Sequence, residues 1–274
     1  MMNITLTCFQ GRAGDHNDLA IPGARSIAES LASIIDVTPV SIGHPEPALN
    51  MDWRTELSLC MPTLKIMQYH FDEIYGSGKK SLAATSRCAV SLSTIPVVVK
   101  HNPEACIVWF DSHADLNTPS SSETGYLGGL ALSGPAGMWD SGLGNGLPFS
   151  SIILVGQRDL DPFEIRLIEE SAVTYIALGD DYLERLRQAI DGRPVYMHLD
   201  CDVLEPGIVP TDYVHPEGMT LCDLEAACEV LAETEVVGLE IAEFQHAWNE
   251  GGLPVSPVPL LKALQPVIGK LSKV

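Results

Sequence analysis

Short apolar runs recur along the chain with helix-like segments between them, and this alternation restricts the fold more than any other feature of the sequence. The runs fall at 3–9, 37–42, 81–85, 106–111, 151–156, 173–177, 194–200 and 236–242. Amphipathic patterns separate them at about 22–34, 56–75, 88–101, 161–171, 181–191, 222–233 and 256–272. Strands that alternate with helices build βαβ units and a mostly parallel sheet, which makes the chain an α/β protein with about eight strands. Asp161 followed by Pro162 reads as a helix N-cap with proline at the first helical position, and Thr220 and Asp223 are candidate caps further on.

Two clusters of chemistry-bearing residues follow apolar runs. Cys106-Ile107-Val108-Trp109 leads into Phe110-Asp111-Ser112-His113-Ala114-Asp115, and Pro194-Val195-Tyr196-Met197 leads into His198-Leu199-Asp200-Cys201-Asp202. Side chains two apart on a strand share a face. If strand geometry continues through the clusters, Asp111, His113 and Asp115 converge, and so do Asp200 and Asp202. Four carboxylates brought together would repel one another unless a cation lay between them. Oxygen ligands with one imidazole suit Mn²⁺ or a similar divalent ion, and this many carboxylates suit two bridged ions. In open α/β sheets ligands gather at the carboxyl ends of strands, where both clusters lie. The Gly-, Ser- and Pro-rich stretch 115–150 leaves directly from the first cluster, and a connection of that length is usually functional.

The 274 residues suffice for one large domain, 1–274, with an extended core. A net charge of −20 argues against nucleic acid as a partner and is compatible with a cationic substrate, although an acidic surface also serves solubility. The chain has no apolar run long enough to span a membrane. Met1-Met2-Asn3-Ile4 opens without a basic segment or cleavage site, so no signal peptide is expected. The seven cysteines contain no C-x-x-C pair, which fits reduced thiols and a cytoplasmic location.

With these residues in place, the sequence resembles the ureohydrolase family of arginases, agmatinases and formimidoylglutamases. Asp111-Ser112-His113-Ala114-Asp115 is close to the family's D-A-H-x-D motif, and Asp200-Cys201-Asp202-Val203-Leu204-Glu205-Pro206 to its S-x-D-x-D-x-x-D-P motif. The resemblance implies a three-layer α/β/α fold, shared with the metal-dependent deacetylases. It implies two bridged Mn²⁺ ions and hydrolysis of a guanidine or amidine C–N bond. It makes Asp111 and Asp200 the bridging ligands, with Cys88 and Asp115 completing one site and His113 and Asp202 the other. Within Gly238-Leu239-Glu240-Ile241-Ala242-Glu243, it makes Glu243 the carboxylate that grips the cationic head. Asp161 would bind the substrate's α-amino group, and Asn117 and Thr124 its α-carboxylate. A homo-oligomer, trimer or hexamer, is implied as well.

The sequence departs from the family in several places. Thr85-Ser86-Arg87-Cys88-Ala89 aligns with G-G-D-H-S, which puts Cys88 on the first metal-ligand His. Cys88 is either a thiolate ligand, favouring Zn²⁺, Fe²⁺ or Co²⁺ over Mn²⁺, or a small residue left where a ligand was lost. Leu127-Gly128-Gly129 replaces L-H-G, so the proton-carrying His is missing. His198 stands where the family has Ser, and Thr211-Asp212-Tyr213-Val214-His215-Pro216-Glu217-Gly218 replaces a Gly/Thr-rich loop.

The mechanism expected is attack of a metal-bridging hydroxide on the amidine carbon, with Asp202, His198 or His16 returning a proton to the leaving amine. Two alternatives stay open. One is a mononuclear amide or amidine hydrolase related to the deacetylases. The other is a catalytically silent homologue kept for binding or regulation.

Overall fold

The structure, a computed structural model, describes residues 3–272; Met1 and Met2, on which the signal-peptide reading partly rests, lie outside the described residues. Its strands are β1 (Ile4–Phe9), β2 (Val40–Ile42), β3 (Lys80–Ala84), β4 (Cys106–Phe110), β5 (Ile152–Val155), β6 (Thr174–Ile176), β7 (Val195–Asp200) and β8 (Val236–Ala242). Its helices are α1 (Ala20–Ile35), α2 (Trp53–Gly76), α3 (Ser91–His101), α4 (Pro162–Glu170), α5 (Tyr182–Ile190), α6 (Leu221–Leu231), α7 (Val258–Ala263) and α8 (Gln265–Ser272). All eight apolar runs form strands, in one parallel sheet of order β2-β1-β3-β8-β7-β4-β5-β6.

The pleat divides the core into two. Cys106, Val108 and Phe110 of β4 join Val195, Met197 and Leu199 of β7 beneath α1, α5, α6, α7 and α8. Ile107 and Trp109 point the other way, towards α2, α3 and the stretch after β4. Helices therefore cover both faces, which explains why the central strands are buried on both sides. The caps form as the sequence suggests. Asp161 pairs with Glu164 in a capping box at α4, and Thr220 with Asp223 at α6. The segment expected as one helix over 256–272 is two, α7 and α8. Pro266 at the start of α8 lacks the N–H that a continuous helix would need there.

The packing of α1 bears directly on the site. A Cβ added at Gly23 would lie 1.8 Å from the carbonyl oxygen of Phe244, so α1 rests on the backbone beside Glu243. Backbone cannot rotate away as a side chain can. Gly23→Ala is therefore expected to lower stability by on the order of 3 kcal/mol, measured by denaturant unfolding. A loss within about 0.5 kcal/mol would show that α1 shifts freely.

Candidate metal centre and substrate cleft

The four strands at the middle of the sheet, β3, β8, β7 and β4, are neighbours, and their carboxyl ends deliver the chemistry together. The turn after β3 carries Arg87 and Cys88. β4 is followed by Asp111–Asp115, β7 ends on Asp200, and β8 is followed by Glu243.

Convergence occurs, but turns produce it rather than the pleat. Strand β4 stops at Phe110, and the backbone N–H of His113 then donates to Asp111 Oδ1 at 2.7 Å. Asp115 follows in the left-handed region at φ 52°. β7 passes into a single 3-10 turn, in which the Asp202 N–H donates to Asp200 Oδ1 at 2.7 Å. A carboxylate two residues back bonds its own chain more readily than it continues a strand. Glu243 is also left-handed, at φ 62°. Non-glycine residues held in that conformation store strain, and such strain collects at functional sites.

Two sets of ligand atoms come within 4.8 Å of one another around the expected ions: Cys88, Asp111 and Asp115; and Asp111, His113 and Asp202. Cys88, Asp200 and Glu243 form a further set of the same size. Trp109 Nε1 donates to Asp111 Oδ2 at 2.9 Å, and Ser112 N–H to Asp202 Oδ1 at 2.9 Å, so the carboxylates are oriented from behind. His113 Nδ1 lies 3.2 Å from both Asp111 and Asp202. Burial, with Asp202 alongside, pushes the Asp111 carboxyl up to about 7. Burial also drives Asp115 and Asp200 well above the usual carboxylate range, reinforced by neighbouring carboxylates. So much negative charge with one imidazole for company is a donor set that fits divalent cations.

Cys88 is almost wholly buried, yet it lines the cleft. Burial first, then Asp200, pushes its thiol well up, so by itself it is neutral. Its Sγ donates to Asp200 Oδ2 at 3.1 Å and lies 3.2 Å from His198 Nε2. Only a cation in contact would make it a thiolate.

A cleft of about 120 Å³ opens over these groups, small against the roughly 300–1,000 Å³ of drug-sized ligand sites and suited to a small ligand. Cys88, Asp115, Asp200 and Glu243 line it, and so do Asn117, Thr124 and Asp161. Asn117 Nδ2 donates to Asp161 Oδ2 at 2.7 Å, which fixes that pair.

The expected catalytic residues are distributed differently: of Asp202, His198, His16 and Glu243, only Glu243 lines the cleft. Asp202 lies behind it, between Ser112 and His113. His198 is fully buried, stacked on Trp109 at 3.5 Å with its Nδ1 near Ser91 and Glu240. Burial lowers its basicity, and its Nε2 lies 3.2 Å from Cys88 Sγ. His16 packs behind Tyr126 and bonds Asp212 at 3.0 Å.

Two residues to which the sequence assigned no role stand close to the site: Tyr126 lines the cleft, and Arg87 lies behind it against Glu243. Arg87 is completely buried. Its Nε donates to Asp15 at 3.1 Å, and its Nη1 to Glu243 at 2.8 Å and Asp212 at 3.0 Å. Tyr126 occupies the volume a side chain at 128 would need: a Cβ on Gly128 would meet its ring at 2.3 Å. A lone arginine next to a ligand position in an acidic chain was the available signal for the first. Nothing local marked the second.

The profile of the arginase family matches residues 25–252. The chain belongs to the arginase family. Among curated relatives, the N(omega)-hydroxy-L-arginine amidinohydrolase of Streptomyces lavendulae is 37% identical over 240 residues, 88% of each chain. An arginase of Glaciozyma antarctica is 28% identical over 197 residues, 63% of this chain and 57% of that one. Among solved structures, arginase from Bacillus subtilis superposes with a TM-score of 0.81 at 18% identity over 99% of both chains. A putative agmatinase from Clostridium difficile gives 0.73 at 17% identity, over 99% of this chain and 97% of that one. The structural likenesses establish the arginase fold, with helices on both faces of the parallel sheet. Among the described residues no helix is long and apolar enough to cross a membrane.

Proposed function

We propose that this arginase-family chain hydrolyses the C–N bond joining the guanidino carbon to the side-chain nitrogen of a linear guanidino amino acid. N-omega-hydroxy-L-arginine, the compound in the name of the Streptomyces lavendulae relative, is the first substrate to try. The observation that carries this reading is the lining of the cleft. Glu243, Asp200 and Asp115 offer carboxylates to a cationic head, and Asn117, Asp161 and Thr124 offer polar groups to an amino acid's α-substituents.

Asp111, His113, Asp115, Asp200, Asp202 and Cys88 would hold two divalent ions, Mn²⁺ by family, or Zn²⁺, Fe²⁺ or Co²⁺ with the thiolate. Such ions supply Lewis acidity, which brings the ionisation of water from about 15.7 towards neutral. Glu243 receives the head of the substrate on its remaining lone pairs, since Arg87 and the Cys88 N–H each engage one of its oxygens. Asp115 lines the cleft, and its carboxylate takes no hydrogen bond from the described residues. With one oxygen on an ion, its other oxygen could take the proton of the attacking water and return it to the leaving nitrogen.

The test is release of hydroxyurea or urea from N-omega-hydroxy-L-arginine, L-arginine and agmatine by the chain loaded with each metal. The amino acids should turn over faster than agmatine, which gives Asn117 and Thr124 no carboxylate to hold. No release from any compound with any metal would sink the reading.

The neutral Cys88 thiol bonded to Asp200 favours a second reading, a single ion held by Asp111, His113 and Asp202. Metal counting on Cys88→Ser and Cys88→His separates the two. If Cys88 is a ligand, metal should protect it from alkylation, Cys88→Ser should lose one ion, and Cys88→His should shift preference towards Mn²⁺. Equal labelling with and without metal, and an unaltered metal complement in both variants, would leave the single-ion reading.

A further inference from the structure

The 211–218 loop departs from the family's Gly/Thr-rich pattern, and no step of the hydrolysis uses it. Polar contacts pin it in place. Thr211 Oγ1 donates to the Tyr213 carbonyl at 2.7 Å. Asp212 accepts from Arg87 Nη1 and from Asn17 Nδ2, each at 3.0 Å. The His215 carbonyl accepts from Arg158 Nη2 at 2.9 Å. So anchored, the loop sets the Tyr213 ring among three others. Its centroid lies 5.2 Å from that of His113, 5.9 Å from Tyr126 and 5.9 Å from His16, at interplanar angles of 75°, 46° and 65°. None of these rings lies flat on Tyr213. Its side chain is half-buried and lines the cleft together with Tyr126, Asp115, Asp200 and Glu243.

A guanidinium carries its N–H donors in its own plane, and its two faces donate nothing. Carboxylates serve the edge of such a head. A face loses its water at little cost against an aromatic ring, whose π-electrons also attract the charge. Carboxylates alone hold any small cation, whereas a ring beside them favours a flat one.

We propose that Tyr213 is a substrate-binding residue: its ring, with Tyr126 beside it, takes a face of the cationic guanidino head while Glu243 and Asp200 take the N–H groups. This rests on the hydrolase reading above and adds a residue to its binding site. The head is then gripped on a face as well as at its edge, by a ring that only the altered loop supplies.

The experiment measures kcat and KM for L-arginine and N-omega-hydroxy-L-arginine in the metal-loaded parent, Tyr213→Phe and Tyr213→Leu, with the metal content of each. Phenylalanine keeps the ring and loses a hydroxyl that bonds no described residue. Leucine keeps apolar bulk and loses the π-electrons. Tyr213→Leu is expected to raise KM about tenfold, the scale of a desolvated cation–π contact, with kcat and metal content within about twofold of the parent. Tyr213→Phe should stay within about twofold throughout. An unchanged KM in Tyr213→Leu overturns the proposal. So does a Phe variant that loses as much as the Leu variant, since the hydroxyl would then be the operative group. A fall in kcat or metal content in Tyr213→Leu overturns it too, because the ring would then serve to pack His113. A parent that hydrolyses neither compound sinks the hydrolase reading alone. The dissociation constant of L-arginine, from calorimetric titration of the same three proteins, then takes the place of KM, and a parent that does not bind it overturns both.

Discussion

Asp200→Asn is expected to empty at least one ion from the site and to reduce hydrolysis by more than the roughly 10–100-fold that loss of an outer partner costs a metal site. Asp200 ties several parts of the site together. It ends β7, lines the cleft, accepts from the Cys88 thiol and receives the Asp202 N–H. Asparagine keeps the shape and the acceptor oxygen for that N–H, so the turn after β7 should survive. It removes the negative charge that a pair of cations would share. Metal analysis with activity on the hydroxylated substrate makes the check, alongside circular dichroism for the fold. Full metal occupancy in the variant would move the bridging role to another residue.

Arg87→Met should destabilise the protein by about 3–5 kcal/mol, the cost of breaking a buried ion network by removing one member. Methionine fills similar space, so a cavity is not the cause. The cause is that Asp15 and Glu243, both nearly excluded from solvent, lose their only guanidinium, and Asp212 loses it as well. Each must then stay charged without a partner or take up a proton. The measurement is the denaturant midpoint of the metal-free protein. A loss below about 1 kcal/mol would mean that the carboxylates relax to solvent on their own.

The sheet was legible because its strands are buried on both faces. A run such as Cys106-Ile107-Val108-Trp109 admits little else between two helical patterns. The helix ends were legible where capping chemistry is local, as at Asp161 and Thr220. The break between α7 and α8 was missed because apolar periodicity runs through it. The motif residues Asp111, His113, Asp115, Asp200 and Asp202 were found, but for a partly mistaken reason: Asx-type turns, not strand alternation, bring them together. The surroundings of Cys88, His198 and Glu243 were not legible. Arg87 meets Glu243 across 156 residues and Cys88 meets His198 across 110, and no local pattern records such pairings. Tyr126 was invisible for a related reason, since its place depends on a side chain that Gly128 lacks.

The Arg87 clamp constrains the order in which this site can change. Moving Cys88 to the family's His restores an imidazole, yet Glu243 stays neutralised by the arginine beside it. Exchanging Arg87 first for the family's Asp would place a fourth carboxylate against Asp15, Asp212 and Glu243. Positions 87 and 88 are therefore coupled through Glu243, since the Arg87 guanidinium and the Cys88 N–H each engage one of its oxygens. A redesign that restores the family's Asp and His there has to resettle Glu243 as well, because Asp at 87 alone leaves the carboxylates around it without their arginine.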